Sequence, residues 1–141
     1  MKSNMFLALL LLVVMGCGKM EKKAENSMLY GTWKLVKVKY SDGRVREIDT
    51  FVKKCSSCYI VTFKKDNTFN GVTCANYIEG KYSTNIALNE VKVESLGITK
   101  IHEPFCPNEP FVFEGKYTNK RDTLLFVNDT ITTYYKKIKA L

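Results

Sequence analysis

Residues Thr68–Tyr82 read TFNGVTCANYIEGKY: a strand-like run reaches a cysteine and an asparagine, then resumes as alternating aromatic and charged residues. The same period of two extends outward on both sides. Tyr59, Val61 and Phe63 alternate with Ile60, Thr62 and Lys64, and Val91 and Val93 with Lys92 and Glu94. Phe111, Phe113 and Tyr117 alternate with Glu114 and Lys116, while Ile131, Thr133 and Tyr135 share one face of the last segment. Successive side chains of a strand point to opposite faces, so this pattern predicts strands with one buried and one wetted face. Asn, Asp and Gly favour reversals at Ser41-Asp42-Gly43, Asp66-Asn67, Thr84-Asn85, Asn119-Lys120 and Asn128-Asp129. Together these predict a mainly β domain, a small antiparallel meander closed or nearly closed into a barrel. At most one short helix is expected, over Arg46–Lys54, where an irregular crossing between the first strands is the alternative.

The amino terminus is of another kind. Phe6–Met15 is an apolar run of signal-peptide length, too short for a spanning helix, which needs ~20 residues. Val14-Met15-Gly16-Cys17 resembles the bacterial lipoprotein signal, although Met15 is larger than the residues usual there. That resemblance implies cleavage before Cys17, diacylglycerol on its sulfur and acylation of the new amino terminus. A buried methylene contributes ~0.8 kcal/mol, so several acyl chains anchor stably where one does not. Residues 1–16 are therefore read as a signal peptide and 17–28 as a lipidated, solvated tether. Residues 29–141 are read as a single domain of ordinary size. The expected location is the bacterial cell envelope, at the outer membrane, with the leaflet left open.

The formal charge is +8, and losing Lys2 with the signal leaves +7. An exported protein has little access to nucleic acid, so anionic lipid head groups are a better candidate partner of such charge. A solvated basic surface with no partner is the preferred reading over both, because the lysines are scattered along the chain.

Two segments resemble the META domain of the HslJ-like family. Gly31-Thr32-Trp33-Lys34-Leu35 opens the first strand. Phe63, Asn67, Phe69-Asn70-Gly71, Cys74-Ala75-Asn76-Tyr77 and Gly80-Lys81-Tyr82 then follow the family's order, with Thr99 and Cys106 at its later Thr and Cys positions. The sequence departs from the pattern at Thr73, at Ala75 and in the seven-residue step from Thr99 to Cys106. Pro107-Asn108-Glu109-Pro110 opposes the helix common after the second cysteine. The resemblance implies a small β-rich, barrel-like domain without an enzymatic activity to carry over. Gly31-x-Trp33 also resembles the start of a lipocalin, which would imply a cavity for a small apolar ligand.

With Cys17 assigned to lipid, Cys55, Cys58, Cys74 and Cys106 remain, an even number that in an exported domain favours disulfides. By analogy with the two META positions, Cys74 pairs with Cys106 and Cys55 with Cys58. The crossed alternative, Cys58–Cys74 with Cys55–Cys106, follows from a tight turn at Asp66-Asn67. Three chemical readings compete. Cys55-x-x-Cys58 with Cys74, His102 and Cys106 could hold zinc, but a second tight ligand pair is missing. A redox role for Cys-Ser-Ser-Cys would need a helix amino terminus where a strand follows. His102 near Cys106 lacks an orienting third group. The expectation is therefore no enzyme, no metal and no cofactor.

Trp33, Phe63, Phe69, Tyr77, Tyr82, Phe111, Phe113, Tyr117 and Tyr135 are read as core, with a ligand cavity as the competing reading. The expected function is a lipid-anchored, non-catalytic envelope module with a structural, interaction or stress-related role. The alternative is a lipocalin-like binder of a small apolar ligand.

Overall fold

The computed structural model describes residues 28–48, 57–99 and 111–139. The described elements are nine strands: β1 (Gly31–Tyr40), β2 (Val45–Glu47), β3 (Ile60–Phe63), β4 (Thr68–Val72), β5 (Tyr77–Asn85), β6 (Glu90–Ile98), β7 (Gly115–Lys120), β8 (Thr123–Val127) and β9 (Ile131–Ile138). Every pairing is antiparallel, and β1 pairs with β9, so β1 and β3–β9 close an eight-stranded barrel. The predicted meander is thus closed.

One step interrupts the simple up-and-down order. The first half of β1 pairs with β3 (Gly31↔Phe63 to Lys34↔Ile60) and its second half with β2 (Lys37↔Glu47 to Lys39↔Val45). A bulge between Leu35 and Lys37 resets the alternation, so that Leu35 and Val38 both lie in the core. Arg46 and Glu47, placed at the head of the short helix or crossing, belong to β2. The rest of that segment beyond Ile48 lies outside the described residues.

The turns show why the predicted reversals fall where they do. Asp42 Oδ1 accepts from the Arg44 amide, and Asp66 Oδ1 from the Thr68 amide, each at 3.0 Å. Asn128 Oδ1 accepts from the Thr130 and Ile131 amides at 3.0 and 2.9 Å. Two reversals come later than predicted. Thr84 and Asn85 stay in β5 and the chain turns over Ile86–Asn89, with Asn89 left-handed at φ 50°. Asn119 and Lys120 likewise stay in β7, and the turn falls at Arg121, at φ 58°, and Asp122. In both places the strand pairing extends past the first residue able to turn, because each added ladder bond outweighs a local turn preference.

The core fills the barrel: Trp33, Leu35, Val61, Phe63, Phe69, Ile78, Tyr82, Val91, Tyr117, Leu124, Phe126 and Tyr135 are all 5% exposed or less. Tyr77, expected in the core, faces out and is 42% exposed. It pairs with Val72 one residue from the inward Gly71–Ile78 pair, so the alternation turns it to solvent.

A second difference concerns Phe111–Glu114, expected as strand. The wall is thinnest here: β6 meets β7 only at Glu90↔Lys116 and Val91↔Gly115. Before Gly115 the chain leaves the wall, and Phe111 and Phe113 turn into the interior. Gly115, at φ 103°, makes that bend, and a Cβ there would stand 2.8 Å from the Val127 carbonyl oxygen.

Candidate functional site

The barrel interior is where a ligand or a reaction would be housed, and aromatic rings occupy it. Phe63 lies at the centre, with ring centroids 5.1 Å from Tyr82, 6.1 Å from Phe113, 6.1 Å from Phe126 and 6.5 Å from Phe69. Phe113 also packs on Phe69 at 4.9 Å and on Phe111 at 5.4 Å, and Phe111 reaches Tyr59 and Tyr135. The edge-to-face contacts among these rings are favoured by the ring quadrupole. Trp33 is fully buried, and its indole N–H donates to the Leu29 carbonyl at 2.7 Å, tying the start of the domain to β1.

Three hydroxyls inside are committed to the backbone. Thr133 Oγ1 and Tyr135 OH both donate to the Val112 carbonyl, each at 2.8 Å. These two bonds hold the Phe111–Phe113 segment in the barrel through its middle residue. Tyr82 OH donates to the Lys64 carbonyl at 2.7 Å. Burial, followed by the neighbouring Tyr30 and Asp66, pushes the Tyr82 hydroxyl up to about 12, and burial raises that of Tyr135 further. A phenol that is harder to ionise and already bonded to a carbonyl is a poor proton shuttle at neutral pH.

A pH dependence follows. The unfolded phenol ionises near 10, and the folded state holds the proton more tightly, so these tyrosines stabilise the fold fully below pH 10. Stability is expected to fall as pH rises from 10 through 12, because only the unfolded chain releases those protons readily. Urea titrations followed by emission of Trp33, the single tryptophan, should show this decline. Tyr82→Phe should make the decline shallower and leave the part due to Tyr135, at a cost of ~1 kcal/mol at neutral pH for the lost hydrogen bond.

The cysteine end of the barrel is the second candidate. The β3–β4 ladder ends at Ile60↔Val72, with Cys58 two residues before it on one strand and Cys74 two residues after it on the other. Both cysteines are disulfide-bonded. Cys58 is buried, and its sulfur lies 3.4 Å from the Cys74 carbonyl oxygen. A disulfide sulfur has no proton, so this is a packing contact rather than a donated bond. Cys17, Cys55, His102 and Cys106 lie outside the described residues, and with them the Cys74–Cys106, Cys55–Cys58 and Cys55–Cys106 pairings and the lipidation position. Cys74 sits in a tight corner: the Thr73 amide donates to the Asn76 carbonyl at 2.8 Å, and the Asn76 amide to Thr73 Oγ1 at 3.0 Å. Tyr59, next to Cys58, is left-handed at φ 56°, a conformation that a bulky side chain rarely adopts. Among the described residues no group of three His, Cys, Asp or Glu is placed to hold a metal ion.

Outside the wall, a cleft of about 470 Å³ lies where β6 and β7 part, lined by Ser83, Asn85, Glu90, Lys92, Glu114 and Asn128 among others. It is open to solvent.

No family model matches the chain, and no curated protein matches it. One solved structure is similar, described as the NMR structure of the protein from Burkholderia xenovorans. It superposes with a TM-score of 0.56 at 15% identity, over 81% of this chain and 86% of that one. At that identity the likeness concerns the fold alone.

Proposed function

We propose that the chain is a lipid-anchored cell-envelope protein whose META-like barrel is a non-catalytic structural or interaction module. One observation carries the non-catalytic part: the described interior is filled by interlocking aromatic rings, and the tyrosine and threonine hydroxyls among them are bonded to backbone carbonyls. Support for the family reading is the Thr73–Asn76 corner that presents Cys74 between two paired strands, as its motif implies. A stress-related role rests on that family analogy alone. The anchor rests on Val14-Met15-Gly16-Cys17 following an apolar run.

The anchor has a direct test. Wild-type protein is expected to partition into detergent and to carry the mass of a diacylglyceryl, acylated Cys17, whereas Cys17→Ser should accumulate unprocessed. A Cys17→Ser chain that is cleaved normally and stays on the membrane would defeat the assignment.

The second reading, a binder of a small apolar ligand, is favoured by one feature: the barrel closes with Trp33 fully buried at its start, as a lipocalin-like Gly31-x-Trp33 implies. Native mass spectrometry of protein isolated from its host separates the two. A co-purifying apolar molecule in stoichiometric amount supports the binder, and its absence supports the filled barrel.

A further inference from the structure

Lysines that look scattered in the sequence are gathered by the barrel. Residues directly paired across strands share a face, so the register maps the outer wall row by row. On β1, β9, β8 and β7 one outward row reads Lys39, Thr132, Val127, Lys116, the last of which faces Glu90 of β6 across the seam. The next reads Lys37, Tyr134, Leu125, Thr118, and the third Lys34, Lys136, Thr123, Lys120. Glu47, 3.7 Å from Lys37, is the acid that β2 adds to this wall. The outer wall over β3–β6 is different: Lys64, Lys81 and Lys92 are interspersed with Glu79, Glu90 and Glu94. The charge is therefore one-sided among the described residues.

Two features of the basic wall point to a membrane rather than to solvent. Lys34 and Lys136 are direct cross-strand partners, which gathers positive charge at one point of this wall. Between the lysines lie Tyr134, Leu125 and Val127, the last 43% exposed. An aromatic and apolar centre bordered by lysines suits the bilayer interface, where tyrosine rings sit at head-group level and lysine stems lie along apolar surface. The chain enters the barrel at the β7 end of its inward row: Asn119, paired with the buried Leu124, donates to the Met28 carbonyl, and eleven positions separate Met28 from Cys17.

We propose that the outer wall of β1, β9, β8 and β7 docks flat on an anionic lipid surface, so that the barrel lies against the membrane instead of swinging from its tether. The proposal rests on the membrane reading for its setting, and its chemistry is the attraction of lysines to lipid phosphates. Each lysine near such a surface contributes ~1 kcal/mol, roughly fivefold in the docking equilibrium.

The test uses the purified full chain on vesicles of phosphatidylcholine alone or with one quarter phosphatidylglycerol, with amine acylation read lysine by lysine. Lys37, Lys39, Lys116, Lys120 and Lys136 are expected to be protected on the anionic vesicles only, and exposed again at high salt. Lys64, Lys81 and Lys92 should label equally throughout. The Lys37→Gln, Lys136→Gln variant should lose about 25-fold in docking, seen as renewed labelling of Lys39, Lys116 and Lys120. Equal labelling of the two walls on anionic vesicles would overturn the proposal. So would stronger protection by a soluble nucleic acid or polysaccharide than by the vesicles. Intact mass reports the state of Cys17 separately: a chain with a free Cys17 defeats the anchor, while the contrast between walls, read on protein added to preformed vesicles, still decides the docking.

Discussion

Replacing Gly80 by alanine is expected to destabilise the barrel by about 3 kcal/mol, at the upper end of overpacking costs. A Cβ at this position would stand 1.9 Å from the Ser95 carbonyl oxygen and 2.8 Å from Phe69 Cζ. The phenyl ring could tilt away, but the carbonyl belongs to β6, which is paired to β5 on both sides of that point. Relief therefore requires the two strands to separate at the bulge between Lys81 and Tyr82. For a domain of this size the melting midpoint should fall by more than about 10 °C. Gly97→Ala is the control on the neighbouring strand. Its Cβ would make ordinary contacts at 3.6 Å with Glu79, so the change should be neutral or slightly stabilising through the unfolded chain. Thermal melts of the two variants, read at Trp33, check the pair. Equal midpoints would show that β5 and β6 are not as closely apposed as described.

Gly80 also marks where sequence reasoning reached its limit. Period-two alternation was enough to predict a closed antiparallel meander, because inward residues such as Val61, Phe63, Ile131 and Tyr135 must be apolar or large wherever they line one core. The reversals at Asp42, Asp66 and Asn128 were legible because a side-chain oxygen caps the turn locally. Gly71 and Gly80 lie inside β4 and β5, where close backbone and ring contacts leave no room for a side chain. That requirement comes from Ile60 and Ser95 on adjacent strands, which no local pattern encodes. The same holds for Phe111 and Phe113. Their alternation fits a strand, and only the carbonyl of Val112, bonded by Thr133 and Tyr135 more than twenty residues away, draws them inside.

Charge was the least legible property. Lys34 and Lys136 are about a hundred positions apart in the chain and adjacent in the barrel, because closure pairs the first strand with the last. A scattered count of lysines thus conceals a one-sided surface. In the interior, by contrast, the hydroxyls of Tyr82, Thr133 and Tyr135 all serve backbone carbonyls.

Phe63→Ala is the substitution that best separates a filled barrel from a ligand cup. In a filled interior it removes a ring packed against Phe69, Tyr82, Phe113 and Phe126 and leaves a cavity, with an expected loss of about 3–5 kcal/mol. A ring lining an already open cup has fewer partners, and its removal would cost little beyond the transfer of its own surface, about 2 kcal/mol. Phe63→Leu should fall between wild type and Phe63→Ala, because the branched side chain refills part of the space without the edge-to-face contact to Tyr82 at 5.1 Å. Urea unfolding of the three proteins at neutral pH gives the order and the sizes. The cavity in Phe63→Ala would be apolar and dry, as such cavities are when no polar group lines them. Benzene should therefore raise the midpoint of Phe63→Ala and leave wild type unchanged. A wild-type midpoint that rises equally with benzene would mean that the barrel already holds room for an apolar guest, and the ligand-binding reading would then replace the structural one.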